Sequence, residues 1–400
     1  MPEHPGEPLP APVTADLPTD TVVFDGPVAG DPLGLLGPLK QALSRPGPAV
    51  VVSTSGSTGR PKKTVLITQA LTASGRATER ATSGPGQWLL CLPSHYVAGV
   101  QVLARSVLAD TTPVVMEPGP FTPEGFARAA AGMSHETRYV SVVPTQLQRI
   151  LDPADAAPHP DAVAALARFD AILVGGSALS PALAQLAADA GLTLVSTYGM
   201  SETCGGCVYN GQPLGAVEIR AVPDDAALDL SHFISPTNHG PKEGRIWLGG
   251  DVVAGGYLDD PQQTGEHFRV IDGQRWYRTD DLGQIAENRT LSVLGRTDDV
   301  INTGGIKVSA GVVTATLTSH PEVRQALVVP VPDPEWGQAV AALVVPRDGA
   351  LTDELRAELS DLVREQHGSP AVPKHWRAVS EIPMLATGKP DRQAAAQIFR

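Results

Sequence analysis

Residues 49–62 read AVVVSTSGSTGRPK, a β-branched run followed by a loop of glycines and hydroxyl-bearing residues. The run predicts a buried strand, and a loop of this composition directly after it is typical of a phosphate site. Glycines let backbone N–H groups approach an anion closely, while Lys62 adds a positive charge. The segment does not fit the Gly-x-x-x-x-Gly-Lys-Ser/Thr template of Walker loops. By composition alone, a flexible surface loop stays an equal alternative.

The segments around this loop alternate between strand and helix patterns. From residue 49 to 200, short β-branched runs separated by alanine-rich stretches predict parallel strands joined by crossover helices. The clearest unit is AILVGG from Ala171, then a helix capped by Ser180 and ending near Gly191, then the strand LTLVST. Beyond residue 210, alternating segments rich in glycine and proline predict smaller antiparallel sheets.

The length of 400 residues predicts one large and one small domain. A disordered proline-rich lead-in, a large domain and a small domain are expected at residues 1–20, 21–297 and 298–400. The small domain combines a long hairpin over 325–346 with a helix from Asp353. The predicted fold class is therefore α/β. It has an N-terminal domain of parallel βαβ sheets with a smaller antiparallel β subregion, and a small mobile α+β C-terminal domain.

Composition excludes several classes of partner. A net charge of −13 argues against broad affinity for nucleic acid or anionic lipid. The longest apolar runs are far shorter than the roughly 18 residues that cross a bilayer, so no membrane insertion is expected. The first twenty residues lack the basic start and apolar centre of a secretory signal. Together with only three cysteines, this predicts a cytoplasmic protein.

Two of the cysteines form the motif Cys204-Gly-Gly-Cys207. Such a pair is compatible with a redox couple or with half of a zinc site. A zinc site would need a second pair or a histidine at ligand spacing, and the sequence near the motif supplies neither. We therefore expect two small residues packed behind a loop.

The loop over Thr54–Lys62 resembles the signature loop of the adenylate-forming superfamily, which comprises acyl-CoA synthetases, luciferases and the adenylation domains of peptide synthetases. Further motifs of that superfamily follow in the same order over roughly residues 48–400. The resemblance implies an AMP-forming acid–thiol ligase that uses ATP, Mg²⁺ and coenzyme A with a small-molecule carboxylic acid. It leaves a homodimer open.

Several of these motifs together imply the nucleotide and coenzyme site. In Tyr198-Gly-Met-Ser-Glu-Thr203, Tyr198 would stack on adenine, Ser201 would touch the α-phosphate and Glu202 would hold Mg²⁺. Read alone, a Ser-Glu pair after a strand is more often a helix cap. The nucleotide and coenzyme set implied by the resemblance is Thr54, Ser55, Gly56, Ser57, Thr58, Gly59, Lys62, Gly175, Gly176, Ser177, Tyr198, Gly199, Met200, Asp281, Arg296, Gly305 and Lys307.

Tyr277-Arg-Thr-Asp-Asp-Leu282 resembles the superfamily's Tyr-Arg-Thr-Gly-Asp-Leu, so Asp281 would bind the ribose hydroxyls. The departure is Asp280 in place of glycine, which puts a like charge beside the ribose ligand and can alter its pKa. Without the other motifs, a pair of aspartates would indicate only a turn.

The segment Gly295–Lys307 resembles the linker between the two domains, with Asp298 at the hinge, Arg296 reaching the nucleotide and Gly305 beside the coenzyme A arm. A charged, solvated turn would look the same. Near the C-terminus, Thr387-Gly-Lys389 resembles the motif that carries the catalytic lysine, and Lys389 would stabilise the charge that develops during phosphoryl displacement. The implied catalytic residues are Lys389, Glu202 and Ser201.

The acid is inferred from residues 143–149, VPTQLQR, which resemble a stretch of short superfamily members, the o-succinylbenzoate:CoA ligases of menaquinone biosynthesis. Arg149 would meet the substrate's second carboxylate and Gln146 would add a hydrogen bond. The alternative is an amphipathic helix from Pro144 with Arg149 facing solvent. In the pair His95-Tyr96, either residue could line the acyl site.

Two other functions remain open at this point. A stand-alone adenylation enzyme would load a carrier protein instead of coenzyme A, and a catalytically silent relative would only bind nucleotide. The presence of Lys62, Glu202, Asp281 and Lys389 argues against the silent relative.

Overall fold

A computed structural model describes residues 17–28, 30–54, 62–152, 158–215, 217–223, 243–385 and 388–400. The predicted lead-in and the predicted phosphate-loop residues Ser55, Gly56, Ser57, Thr58 and Gly59 lie largely or wholly outside these ranges. Within them the chain forms strands in four sheets, with helices packed between and around them.

The described strands before residue 297 are, in order, β1 Val22–Phe24, β2 Pro48–Thr54, β3 Lys62–Ile67, β4 Gln87–Leu90, β5 Val114–Val115, β6 Arg138–Val142, β7 Ala171–Val174, β8 Leu194–Met200, β9 Gly205–Tyr209, β10 Gln212–Pro213, β11 Glu218–Val222, β12 Glu243–Gly249, β13 Phe268–Ile271, β14 Gln274–Ile285 and β15 Leu291–Arg296. The C-terminal strands are β16 Val300–Thr303, β17 Ile306–Ser309, β18 Val323–Asp333, β19 Gly337–Pro346 and β20 His375–Ala378.

The helices of the described ranges are α1 Leu36–Ala42, α2 Thr68–Ala81, α3 Val97–Leu108, α4 Pro123–Ala131, α5 Pro144–Leu151, α6 Pro160–Leu166, α7 Pro181–Asp189, α8 Pro261–His267, α9 Ala310–Ser319, α10 Asp353–His367 and α11 Arg392–Gln397. Short 3₁₀ helices cover Pro32–Leu35, Ser201–Thr203, Thr297–Asp299 and Ser369–Ala371. None of the helices in these ranges is long and apolar enough to cross a membrane.

The phosphate-loop strand β2 lies at the centre of a three-stranded sheet, parallel to β1 and antiparallel to β3. Residues Ala49 to Val52 are fully buried, as the β-branched run predicts. Thr54, the last residue of β2, pairs with Lys62, the first residue of β3. The predicted strand is confirmed, and residues 55–61, which the sequence assigns to the loop, lie outside the described ranges.

The main sheet has seven strands in the order β10-β9-β8-β7-β6-β4-β5, and its members from β4 to β8 are parallel. The βαβ unit predicted from Ala171 is confirmed. Ser180 caps α7 by accepting a hydrogen bond from the Leu183 amide at 3.2 Å, and Gly191 follows the helix with φ +69°, a conformation that glycine adopts without strain.

After residue 210 the chain forms an antiparallel sheet in the order β11-β12-β14-β13. Strand β15 also pairs with β14, along its later residues Asp281 to Ile285. The C-terminal sheet, β17-β16-β19-β18 with β20 beside β19, contains the predicted long hairpin as β18 and β19. Helix α10 begins at Asp353 as predicted. These features confirm the predicted fold class of a large α/β domain with an antiparallel subregion and a small α+β domain.

Tight backbone packing joins β8 to β9, where Gly199 lies opposite Gly206. A Cβ at Gly199 would lie 2.7 Å from the Gly206 Cα, and the approaching atoms are backbone that cannot rotate away. We expect Gly199→Ala to lower the free energy of unfolding by about 2–3 kcal/mol because this hairpin would have to separate. Urea unfolding of the purified protein measures the change.

The matched control for that substitution is Gly265→Ala in α8, where a Cβ would meet nothing within 4 Å. Alanine inside a helix should raise stability by about 0.5–1 kcal/mol. If both substitutions had the same small effect, the close approach of β8 and β9 would not constrain the fold.

Candidate active site

The predicted ribose ligand Asp281 lies at the meeting point of the main sheet and the antiparallel sheet. Tyr198, on β8, donates its hydroxyl hydrogen bond to Asp281 Oδ2 at 2.6 Å. Arg296, on β15, approaches Asp281 Oδ1 at 3.4 Å. The structure therefore brings together three residues that the sequence placed in one nucleotide site.

Burial is the main cause that raises the pKa of Asp281 above its ordinary value. The hydrogen bond from Tyr198 and the charges of Arg296 and Lys389 act in the opposite direction, while neighbouring Asp280 raises the pKa further. Burial also raises the pKa of Tyr198, so its hydroxyl stays protonated and acts as a donor.

Asp280, the residue that replaces glycine, forms a bridge between two arginines. Its carboxylate lies 3.4 Å from Arg245 Nη1 and 3.7 Å from Arg296 Nη2. Arg296 also binds Asp298, the predicted hinge residue, through two hydrogen bonds, at 2.8 and 3.1 Å. Burial opposes the charge of Arg296, but the three carboxylates outweigh it and hold the pKa of Arg296 above its ordinary value.

The predicted metal ligand Glu202 sits on the 3₁₀ turn Ser201–Thr203, where all three residues are buried. The turn is fixed at its end by Cys204, which has φ 52° and whose carbonyl accepts hydrogen bonds from Ser74 on α2 and Gln101 on α3. A non-glycine residue in the left-handed region costs free energy, and these two helices supply the bonds that hold it there.

Glu202 has a buried phenol partner that the sequence did not reveal. Tyr257 donates its hydroxyl hydrogen bond to Glu202 Oε1 at 2.7 Å and lies 3.3 Å from the Tyr277 hydroxyl. Lys62, the last residue of the signature loop, places its ammonium 5.2 Å from the centre of the Tyr257 ring. Tyr257 thus contacts both the predicted metal ligand and the predicted phosphate-loop lysine.

Tyr257 is fixed to strand β3 by main-chain bonds on either side of it. The Val65 amide donates to the Gly256 carbonyl at 2.9 Å, and the Leu258 amide donates to the Lys63 carbonyl at 2.8 Å. Burial, followed by the charge of Glu202, raises the pKa of Tyr257. The side chain is therefore a neutral donor that orients the carboxylate.

The Glu202 region fits a magnesium ion that is shared with a nucleotide. Among the described residues, no three carboxylates, histidines or cysteines form a metal cluster. Mg²⁺ is commonly held by one or two carboxylates together with substrate phosphates, and a single buried, oriented carboxylate matches that mode. Glu202 would be the protein ligand, with Ser201 beside it on the same turn.

A cleft of about 1160 Å³ opens between the large domain and the C-terminal sheet, and its described lining does not include Tyr198, Asp281 or Arg296. His95, Gln146 and Arg149 all line it, as the sequence predicts for an acyl site. The His95 and Tyr96 rings are in contact, with centres 4.1 Å apart and planes inclined by 42°, and of the two only His95 is among the described lining residues. Burial lowers the pKa of His95, which favours the neutral imidazole.

Both ends of the Gln146 amide bind main chain. Its Oε1 accepts from the Val143 amide at 3.0 Å, and its Nε2 donates to the Cys91 carbonyl at 3.0 Å. Helix α5 begins at Pro144, and Arg149 is exposed on it. Arg149 is exposed and also lines the cleft, so its position is compatible with both alternatives, a side chain that faces solvent and one that faces a substrate.

The C-terminal lysine motif reaches this same cleft. A Cβ at Gly388 would lie 3.1 Å from Val143 Cγ2, so the motif packs on the start of α5. The turn is closed by hydrogen bonds between Leu385 and Lys389 and between Gly388 and Leu385, at 2.8 and 2.9 Å. Since Lys389 lowers the pKa of Asp281 through space, its charge acts on the nucleotide residues.

The remaining predicted residues occupy separate places. Gly175, Gly176 and Ser177 follow β7, and a Cβ at Gly176 would approach Val143 at 3.4 Å. Gly305, with φ +84° and open space around it, and Lys307 lie on the β16–β17 hairpin. In the described part of the chain, neither bonds to the residues around Asp281.

Comparison with known proteins decides the family. Residues 10–258 match the family described as AMP-binding enzyme, and residues 313–389 match the AMP-binding enzyme C-terminal domain. The chain belongs to the AMP-binding enzyme family. The superfamily membership that the motifs predict is confirmed.

Three known proteins resemble this chain over most of its length. It is 38% identical to a probable 2-succinylbenzoate–CoA ligase of Mycobacterium tuberculosis, covering 88% of this chain and 84% of that one. The amide bond synthetase McbA from Marinactinospora thermotolerans superposes with a TM-score of 0.72 at 28% identity, over 88% and 69% of the two chains. The o-succinylbenzoate CoA synthetase from Bacillus subtilis shares the fold, with a TM-score of 0.69 at 24% identity over 87% and 69%.

The cysteine pair of this AMP-binding enzyme is fully buried. Burial raises the pKa of Cys207 to about 12 and raises the pKa of Cys204 as well. Buried, protonated thiols are poor nucleophiles and poor metal ligands. The packing role expected for the motif agrees with this geometry.

Tyr257→Phe removes one hydroxyl and leaves the ring in place. We expect the Mg²⁺ concentration for half-maximal pyrophosphate release to rise about ten- to a hundredfold, because Glu202 loses a hydrogen bond to its charged form. A Mg²⁺ titration of pyrophosphate release measures this. Tyr209→Phe, which removes a buried hydroxyl that bonds Thr78 at 2.9 Å, is the control. An unchanged titration would show that Tyr257 does not orient the metal ligand.

Asp280→Asn should extend nucleotide binding to lower pH. If Asp281 binds the ribose hydroxyls as the sequence predicts, binding needs its ionised form and is lost as the pH falls through the raised pKa of Asp281. Removing the charge of Asp280 lowers the pKa of Asp281, so the pH at which AMP binding is lost on the acid side should fall. Calorimetric titration with AMP between about pH 4 and 7 would detect the shift. Asp272→Asn, an exposed change of equal charge, should leave that pH unchanged; a shift with both variants would indicate a general charge effect.

Proposed function

We propose that this chain is an AMP-forming acid:CoA ligase whose acid is o-succinylbenzoate. The observation that carries the proposal is the position of the Lys389 motif. Gly388 packs on Val143 at the cleft of His95 and Arg149, while the Lys389 charge acts on Asp281. The motif of the proposed catalytic lysine therefore adjoins the cleft that the proposal assigns to the acid.

In the first half-reaction, a carboxylate oxygen of the acid attacks the α-phosphorus of ATP, and the bond to the departing pyrophosphate breaks. Lys389 and Lys62 supply positive charge where the non-bridging and leaving oxygens become more negative. Asp281 and Tyr198 hold the nucleoside. Mg²⁺, when bound at Glu202, adds charge neutralisation on the phosphates.

In the second half-reaction, the coenzyme A sulfur attacks the acyl carbon, a C–S bond forms and AMP leaves. The three cysteines do not act as covalent intermediates in this proposal, because burial raises their pKa values. The open space at Gly305 supports a coenzyme path along the β16–β17 hairpin.

The choice of acid rests on charge in the cleft and on the relatives. o-Succinylbenzoate has two carboxylates, of which one is activated and one remains anionic. Arg149 lies on the cleft side of α5, and its described hydrogen bond is a single one to the Phe121 carbonyl at 3.3 Å. A guanidinium placed this way can bind the second carboxylate through two nitrogens. The 38% identical 2-succinylbenzoate–CoA ligase supports the same acid.

The domain boundaries are part of the proposal. The 3₁₀ turn Thr297–Asp299 follows the last strand of the antiparallel sheet and precedes the first strand of the C-terminal sheet. This supports a large domain over 21–297, a small domain over 298–400 and a hinge at Asp298, after a lead-in over 1–20. We also propose that the enzyme acts in the cytoplasm and that it forms a homodimer.

The proposal is tested by incubating the protein with Mg²⁺, ATP, a panel of carboxylic acids and coenzyme A, and following pyrophosphate, AMP and acyl-CoA by mass spectrometry. All three products are expected with o-succinylbenzoate. Adenylate without thioester would instead indicate a carrier-protein acceptor. No pyrophosphate with any acid would indicate a protein that only binds nucleotide.

Arg149→Met keeps the aliphatic stem of the side chain and removes its charge. We expect kcat/KM for o-succinylbenzoate to fall about ten- to a hundredfold, because a charge-assisted hydrogen bond is lost. Activity with an aryl acid that lacks the second carboxylate should change little. Arg168→Met, at an exposed position of the same domain, is the control. Equal losses with both acids would show that Arg149 does not read the second carboxylate.

A further inference from the structure

Asp152 lies directly after helix α5 and binds two arginines of the C-terminal sheet. Its Oδ2 accepts a hydrogen bond from Arg347 Nη1 at 2.9 Å, and its Oδ1 lies 3.5 Å from Arg324 Nη1. The same Arg324 nitrogen donates to the Asp152 carbonyl at 3.1 Å. Gln148, on α5, donates a hydrogen bond from Nε2 to Asp152 Oδ2 at 2.7 Å.

The two arginines are held at one end of the β18–β19 hairpin. Val323, the first residue of β18, pairs with Pro346, the last residue of β19, so Arg324 and Arg347 are near neighbours across the ladder. Arg347 Nε also donates to the Pro321 carbonyl at 2.9 Å. A guanidinium fixed by its own domain loses little additional freedom when it binds Asp152.

The three side chains are mostly shielded from water. Their exposed fractions are 15% for Asp152, 13% for Arg324 and 27% for Arg347. Ion pairs at fully exposed positions contribute little, whereas shielded pairs that also form hydrogen bonds resist separation. The contact is therefore stronger than an ordinary surface ion pair between two domains.

Helix α5 touches the C-terminal domain at both of its ends. Val143, which precedes the helix, packs against Gly388 of the lysine motif, and Asp152, which follows it, binds Arg324 and Arg347. A helix of this length is about 12 Å long, so the two contacts are well separated. Two separated contacts fix the orientation of one domain on the other, which a single contact cannot do.

We propose that Asp152 is a positioning residue for the adenylation half-reaction. By binding Arg324 and Arg347, it holds the C-terminal domain in the orientation that places the Lys389 motif on α5. This role rests on the proposed function, because it assigns the contact to the first of the two half-reactions. Thioester formation, which takes place after the domain has moved, does not need the contact.

The test compares Asp152→Asn with Asp361→Asn. Asparagine keeps the size of the side chain and removes its charge; Asp361 pairs with Arg364 inside α10 and touches no interdomain contact. We expect Asp152→Asn to slow pyrophosphate release about five- to twentyfold. Thioester formation from supplied acyl-adenylate should stay within roughly twofold of the parent rate. Asp361→Asn should alter neither rate.

A double-mutant cycle separates positioning from general damage. Arg347→Gln should slow pyrophosphate release by a similar factor, and combining it with Asp152→Asn should add little further loss, because both remove one contact. Fully additive effects, an unchanged rate of pyrophosphate release, or equal loss of both half-reactions would each overturn the proposal.

A readout without substrate keeps the test independent of the acid. Ser83→Cys and Glu365→Cys place dyes on exposed positions of the two domains for energy transfer. Asp152→Asn should broaden the distribution of dye separations, and Asp361→Asn should not. If the broadening appears but the parent protein releases no pyrophosphate with o-succinylbenzoate, the proposed acid is wrong and the contact stands. An unchanged distribution in an active enzyme would reject the contact and keep the acid.

Discussion

The hydrogen bond from Tyr198 to Asp281 joins the two sheets on which the active site depends. Tyr198 lies on β8, which pairs with β7 in parallel, and Asp281 lies within the antiparallel strand β14, so a hydrogen bond of 2.6 Å between them links the two sheets. Arg296 then approaches from the next antiparallel strand. If this junction moved, the predicted ribose ligand Asp281 and the predicted hinge residue Asp298 would change position relative to β8. The same residues would thus serve both the fold and the proposed nucleotide site.

Charge is distributed unevenly around this junction. Asp280, Asp281 and Asp298 surround Arg296, where a nucleoside offers hydroxyl groups. In the proposed function, Lys62 at the end of the signature loop and Lys389 in the C-terminal motif face the phosphates. An acidic protein with a net charge of −13 can therefore hold a polyphosphate by placing its few cations locally. Such a site needs no basic surface elsewhere.

Local signals made much of this predictable from the sequence. The α7 unit follows from a buried run, a serine cap and a glycine stop that are neighbours in the chain. Tyr257 and Asp152 carried no such signal, because their roles arise from pairing between distant segments; Arg347 is 195 residues from Asp152. The sequence motif placed Gln146 at the cleft, but it did not reveal that the same side chain also binds the main chain of Val143 and Cys91. Contiguous motifs identified the chemistry, and tertiary contacts determined how each group is held.

Two thiols near the proposed site have a consequence for an enzyme that handles activated acyl groups. Cys204 is buried two residues from Glu202, whereas Cys91 is partly exposed, lines the cleft and donates a hydrogen bond to the Ser141 carbonyl at 3.2 Å; their surroundings raise the pKa of Cys91 to about 12 and that of Cys204 as well. A reactive thiolate in either place would compete with coenzyme A and become acylated by the enzyme's own intermediate. Keeping both sulfurs protonated protects the catalyst from self-modification, and it leaves the incoming substrate as the nucleophile that receives the acyl group.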